Sequence, residues 1–137
     1  MLDIIEEYSG SKAANLANYY SGMIYFKLGD FENSINYLND FSSDDFLLSS
    51  LAFGSMGDSY SELNQFDKAY DYFVKASNLD NNFTSPIFLY KAGLLAMKLD
   101  KFEKAEEHFT KIKLLYSKSS EAKNIDAFIS RAIASYR

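Results

Sequence analysis

Cysteine and tryptophan are missing from this 137-residue chain, proline and histidine occur once each, and the six glycines stand singly. Each absence removes a class of chemistry. Without cysteine there are no disulfides, no thiolate nucleophile and no Cys-ligated zinc, and a chain of this kind is at ease in either redox environment. Scattered glycines leave no phosphate-cradling loop. A lone His108 supports no Ser/His/Asp arrangement. Lys and Arg number 14 against 19 Asp and Glu, for a formal net charge of -5. No basic patch compensates, and phosphate backbones require clustered Lys and Arg, so nucleic acid is excluded as a partner. No apolar run approaches the roughly 20 residues of a membrane-spanning helix, and no secretory signal opens the chain. Compartment stays open between cytoplasm and periplasm.

What is present is apolar and periodic. Hydrophobic residues make up 47% and aromatics 17%, all Phe or Tyr, enough for a continuous core. Gly22, Gly57 and Gly93 anchor three similar segments. After each anchor the same kinds of residue return: Tyr25, Tyr60 and Ala96; then Phe31, Phe66 and Phe102; then Ser34, Ala69 and Ala105; then Leu38, Phe73 and Phe109. Self-similarity at a fixed period of this size means a helical repeat array. Two amphipathic helical stretches flank a short turn in each unit, and the turns carry Gly29, Asn64 and Asp100, residues that tolerate the left-handed conformation needed at a helix end. A glycine in mid-helix costs about 1 kcal/mol relative to alanine. Its return at one phase implies a close approach of helix backbones, with Ser34, Ala69 and Ala105 on the facing helix.

These residues resemble the tetratricopeptide repeat family over about residues 15–119. The chain departs from the family pattern in having Phe41 and Ile112 where a small residue is usual, no proline at the ends of its units, and inter-repeat loops lengthened at 42–45 and 81–85. The resemblance implies an all-α, right-handed α-α superhelix (a solenoid) of about three helix-turn-helix repeats with a C-terminal capping helix. The expected divisions are 15–49, 50–85 and 86–119 for the repeats and 120–137 for the cap. Ser85 reads as an N-cap with Pro86 at the first helical position, and Ser119-Ser120-Glu121 as the opening of the last helix. Residues 1–14 read as the second helix of an incomplete preceding unit, which suggests a fragment cut between helices or a natural N-terminal cap. The stretches Tyr8–Ala17 and Ile125–Ile129, with a composition rich in Asn, Ser, Lys, Phe and Tyr, look similar to bacterial membrane-anchored tetratricopeptide proteins linked with secretion or envelope assembly. That likeness implies an anchor outside this segment.

Little reads as catalytic. His108 between Glu107 and Phe109 is expected to be solvated, because a metal site needs several converging ligands. Glu6-Glu7, Asp44-Asp45 and Glu106-Glu107 are expected to be exposed surface, since neighbours on a helix point apart. Asp80-Asn81-Asn82 lacks the ligand spacing of a calcium loop. No enzyme, cofactor or metal is expected.

The resemblance implies that the first helix of each unit lines a concave face. The partner-binding residues expected there are Tyr19, Met23, Phe26, Asp58, Glu62, Tyr90, Leu94 and Met97, with Gly54 and Ser61 leaving room and Asp58 and Glu62 making the centre acidic. Leu16, Leu51 and Ile87 share that face, as do Lys27 and Lys98. The Lys and Asn with which some relatives clamp a C-terminal carboxylate are absent here, so that activity is not implied. The expected partner is a protein or peptide segment with apolar anchors and a basic centre. The competing expectation is a structural subunit whose repeats build a homodimer, covering its apolar concave face or the end that carries Leu2, Ile4 and Ile5.

Overall fold

The computed structural model describes residues 12–137. The expectations for Met1–Tyr8, including Leu2, Ile4 and Ile5, lie outside the described residues. Within them the chain forms seven α-helices and no strand. Helices α1 (Ala14–Lys27) and α2 (Phe31–Asn39) make the first antiparallel pair, α3 (Phe46–Glu62) and α4 (Phe66–Ser77) the second, and α5 (Ser85–Lys98) and α6 (Phe102–Leu115) the third. A 3₁₀ turn at Ser120–Ala122 precedes α7 (Ile125–Tyr136), which packs on α6.

The turn chemistry read from the sequence is what the backbone uses. Gly29, Asn64 and Asp100 have φ of 78°, 60° and 59°. Each turn closes with the same bond. The amide of Asp30 donates to the carbonyl of Tyr25 at 2.9 Å, Gln65 to Tyr60 at 2.9 Å and Lys101 to Ala96 at 2.7 Å. This pairing satisfies helix-end carbonyls and reverses the chain within a few residues. The Phe that follows each turn opens the next helix, and Phe31 packs edge-on against Phe26.

Where paired helices cross, a Cβ added at Gly22, Gly57 or Gly93 would lie 2.5 Å, 2.6 Å and 2.4 Å from side-chain carbons of Leu38, Phe73 and Phe109. The close approach is therefore real, and a large side chain of the partner helix occupies the space over each glycine. Ser34 Oγ donates to the Gly22 carbonyl at 2.7 Å, which places the small residue directly on the facing backbone. Second helices then pack on the next first helix. Ile35 and Leu38 meet Ala52 and Met56, and Phe73 stacks near Phe88 at a 6.1 Å ring separation. Phe53 and Tyr60 touch both core clusters, joining them into one apolar spine.

Two helix starts differ from the reading of the sequence. Ser85 does not cap α5. Thr84 stands at its N-cap with no side-chain bond, and Asn81 instead caps the turn at residues 82–84 that leads into the helix. The Asn81 side chain accepts from the amides of Phe83 (3.0 Å) and Thr84 (2.7 Å), and Ser85 Oγ accepts from the Asn81 amide at 3.1 Å. This reciprocal pairing satisfies amides that a helix start leaves free. Pro86 follows in the first turn. Likewise Ser119 caps only the 3₁₀ turn, accepting from the Ala122 amide at 3.3 Å, and α7 begins at Ile125. Ile125 and Ala132 are buried while Asp126 and Arg131 face outward, the two-sided pattern of a helix that ends an array.

Candidate partner-binding face

Helical geometry sorts the first-helix residues into two faces. At 3.6 residues per turn, residues six before, one after and five after each glycine anchor fall on one stripe. This stripe carries Leu16, Met23 and Lys27 on α1; Leu51, Asp58 and Glu62 on α3; and Ile87, Leu94 and Lys98 on α5. Leu16, Ile87 and Leu94 are exposed, and Leu51 and Met23 are half-buried. Across the three helices the stripes give an apolar row (Leu16, Leu51, Ile87), a mixed row (Met23, Asp58, Leu94) and a charged row (Lys27, Glu62, Lys98).

The other candidates turn away from this stripe and pack against neighbouring helices. Tyr19 is 9% exposed and belongs to the core with Ile35, Leu38, Ala52 and Met56. Its ring lies 5.0 Å from Phe41, and burial, with Tyr20 adding to it, raises its pKa. The expectation that Tyr19 lines the groove is thus corrected. Phe26 is half-buried against Phe31. Tyr90 is half-buried, 5.3 Å from the Phe128 ring, and Met97 packs against the main core. Gly54, expected to leave room in the groove, is buried instead. A Cβ there would lie 2.0 Å from Cζ of Phe88, so that ring of the following repeat fills the space.

The acidic centre is also corrected. Lys91 Nζ sits 2.8 Å from Asp58 Oδ1, with the rings of Phe73 and Phe88 at 5.5 Å and 5.9 Å. Asp58 therefore has its cation within the chain, and the uncompensated acid of the face is Glu62. Lys98 extends over Phe66 at 4.0 Å. Lys91 was not anticipated, because its pairing crosses from one repeat to the next over 33 residues. The only signal for it was a basic residue at a phase where α1 and α3 carry Tyr20 and Ser55.

His108 is not solvated as expected. It lies half-buried between α4 and α6, its Nε2 2.7 Å from the Tyr70 hydroxyl. Burial lowers its pKa to about 4, Glu107 opposing and Lys104 and Lys111 reinforcing the shift. Burial raises that of Tyr70, with Glu107 and Asp71 adding to it. The pair lies in a cavity that Asp71, Lys104, Glu107 and Lys111 also line, and its place is on the second helices, away from the stripe. Among the described residues no three His, Asp or Glu side chains converge as a metal site, and no helix is long and apolar enough to cross a membrane.

Comparison with known proteins agrees with this geometry. One sequence model described as tetratricopeptide repeat matches residues 17–41 and 52–83, and a second so described matches 88–119. No curated protein matches by sequence. Among solved structures, the complex of the TPR2B domain of yeast Sti1 with an Hsp70 peptide is similar at 16% identity and a TM-score of 0.63, over 88% of this chain and 96% of that one. PcrH in complex with the chaperone-binding region of PopB is similar at 18% identity and 0.64, over 91% and 96%. The Arabidopsis OM64 TPR domain is similar at 16% identity and 0.64, over 87% and 96%.

Proposed function

The chain belongs to the tetratricopeptide repeat family, and from that premise we propose that it is a non-catalytic interaction domain holding a protein or peptide segment on the face of its first helices. The observation that carries this reading is the apolar row Leu16, Leu51 and Ile87, exposed at Leu16 and Ile87 and half-buried at Leu51, extended by the exposed Leu94 and bordered by the charged row Lys27, Glu62 and Lys98. Apolar side chains left toward water at matched positions of three successive helices are anchor sites for a ligand that crosses the helices. Alternating charge along the border favours a segment with both basic and acidic residues flanking its apolar anchors. Two of the similar structures, the Sti1 domain with an Hsp70 peptide and PcrH with a region of PopB, hold a segment of another protein, which supports the class of activity.

The test is selection of peptides from a random library, followed by calorimetric titration against wild type, Ile87→Asp with Leu94→Asp, and a Leu114→Asp control on the outer helix α6. All three must keep their far-UV circular dichroism. Binding should weaken at least about tenfold for the groove variant, the loss expected when central apolar anchors are removed, and stay unchanged for the control. Equal binding by all three, or a loss confined to Leu114→Asp, would move the site off this face.

A further inference from the structure

The third helix pair breaks a pairing that the first two share. Tyr25 and Tyr60, on the first helices, stack on Tyr37 and Tyr72 of the second helices at ring separations of 5.4 Å and 5.3 Å. Counted from the glycine anchors, the same positions of the third pair are Ala96 and His108. Ala96 offers no ring to stack on. The imidazole turns instead to the preceding pair, its Nε2 2.7 Å from the Tyr70 hydroxyl. Beside this contact a cavity of about 490 Å³ opens between α4 and α6. Its floor is apolar, made by Val74, the buried Leu89 and the two rings. Its rim carries Lys75, Lys104 and Lys111 against the carboxylates of Asp71 and Glu107. A concave site of this size, with an apolar floor and a few polar groups, suits a small molecule.

We propose that this cavity binds a small organic anion, a carboxylate on an aliphatic body. The sign follows from which charges are already answered. Lys104 Nζ lies 3.3 Å from Glu107 Oε2. Lys75 and Lys111 make no ion pair among the described residues. Both helices are the second of their pair, so they run parallel, and Tyr70 beside His108 sets their register. Lys75 follows Tyr70 by five residues, and Lys111 follows His108 by three. The two lysines therefore lie on the same side of that contact, toward the C-terminal ends of both helices. Asn78 joins them there with an amide donor. Asp71, Lys104 and Glu107 stand level with the contact or before it. A carboxylate between Lys75 and Lys111 gains two charge-assisted hydrogen bonds. Its aliphatic body then runs back over Val74, Leu89 and the Tyr70 ring, where it leaves water. In a chain of net charge -5, this end of the cavity is a local positive site.

The test adds octanoate to the 137-residue chain at neutral pH and follows the His108 ring signal by NMR, unobscured because the chain has no other histidine. The backbone amides of α4 and α6 are followed in the same titration. Both sets of signals should shift and saturate with one dissociation constant. Affinity should fall about tenfold for Lys75→Gln and for Lys111→Gln, the loss expected when a hydrogen bond to a charged group is removed, with circular dichroism unchanged. It should rise several-fold from butyrate to octanoate, as more apolar surface is buried. Octylamine, the same body with the opposite charge, should not compete. No saturable shift at His108, shifts confined to the first helices, or unchanged affinity in both folded lysine variants would each overturn the proposal. Octylamine binding as well as octanoate would overturn the sign of the ligand. Butyrate binding as well as octanoate would overturn its apolar body.

Discussion

Replacing Gly93 by alanine isolates the physical reason for the repeated glycine. A Cβ at that position lies 2.4 Å from Cε1, 2.7 Å from Cζ and 2.9 Å from Cδ1 of Phe109. Carbon atoms rest at roughly 3.5–4 Å. Phe109 is fully buried and wedged by Phe128 at 5.5 Å and Tyr90 at 6.2 Å, so its ring has no route toward solvent. Two effects then oppose each other. Alanine gains about 1 kcal/mol over glycine inside a helix. An extra methyl forced into a packed core costs about 1–3 kcal/mol, and with three ring atoms inside contact distance the upper part of that range applies. The net expectation is a loss of about 1–2 kcal/mol, measured by urea unfolding followed by far-UV circular dichroism. Phe109→Leu, which removes the offending ring atoms, should cost stability alone but couple favourably with Gly93→Ala by about 1 kcal/mol in a double-mutant cycle. Gly29→Ala is the contrast. Nothing lies within 4 Å of its added Cβ, but its φ of +78° strains any other side chain, so it should lose about 1 kcal/mol through the backbone alone. A Gly93→Ala protein as stable as wild type or more so, showing only the propensity gain, would refute the close-approach argument.

Three further outcomes follow from local chemistry. His108 has a folded pKa of about 4 against 6.5 for the free side chain, so between those values the unfolded chain binds a proton that the folded chain refuses. Stability should fall as pH drops through that window, by about 3 kcal/mol at most; His108→Gln should flatten the slope in denaturant titrations, and parallel profiles would show that His108 is not the group responsible. Asp58→Asn breaks the 2.8 Å pair with Lys91, but the two side chains keep 32% and 39% of their exposure, so the loss should be about 0.5 kcal/mol or less, and a larger loss of melting stability would mean the pair is far better shielded than its exposure shows. Ser50 and Ser59 are both fully buried yet should behave oppositely. Ser50 Oγ donates to the Ala76 carbonyl at 2.9 Å and lies 2.7 Å from Thr84 Oγ1, so Ser50→Ala should cost about 1–2 kcal/mol. Ser59 Oγ has no partner, so Ser59→Ala should be neutral or stabilising in the same unfolding assay.

The fold was legible because its determinants are local and repeated. The left-handed turn residues, the phase of Gly22, Gly57 and Gly93, and the Phe after each turn depend on neighbours within one helix pair, and three copies of the pattern reinforce each other. The candidate face was legible only in part. Membership of a first helix is readable, but Tyr19, Phe26, Tyr90 and Met97 stand 40–60° around the helix from Met23 and Leu94, and that rotation decides between groove and inter-repeat packing. Gly54 looked like room for a ligand because nothing in its own repeat fills the space; Phe88 comes from the next one.

From the sequence alone follow the all-α repeat architecture, the helix pairs and their turns, the acidic charge balance, and the absence of thiol chemistry. These depend on composition and on contacts within a few turns of helix, which periodicity records. Tertiary structure alone decided the pairing of Lys91 with Asp58, the burial of His108 on Tyr70, and the tie from Ser50 to Ala76 and Thr84. Each of these depends on how one helix pair is set against its neighbour. That angle arises from many side chains packing at once across 20 to 40 residues of chain, and no residue announces it by its own identity.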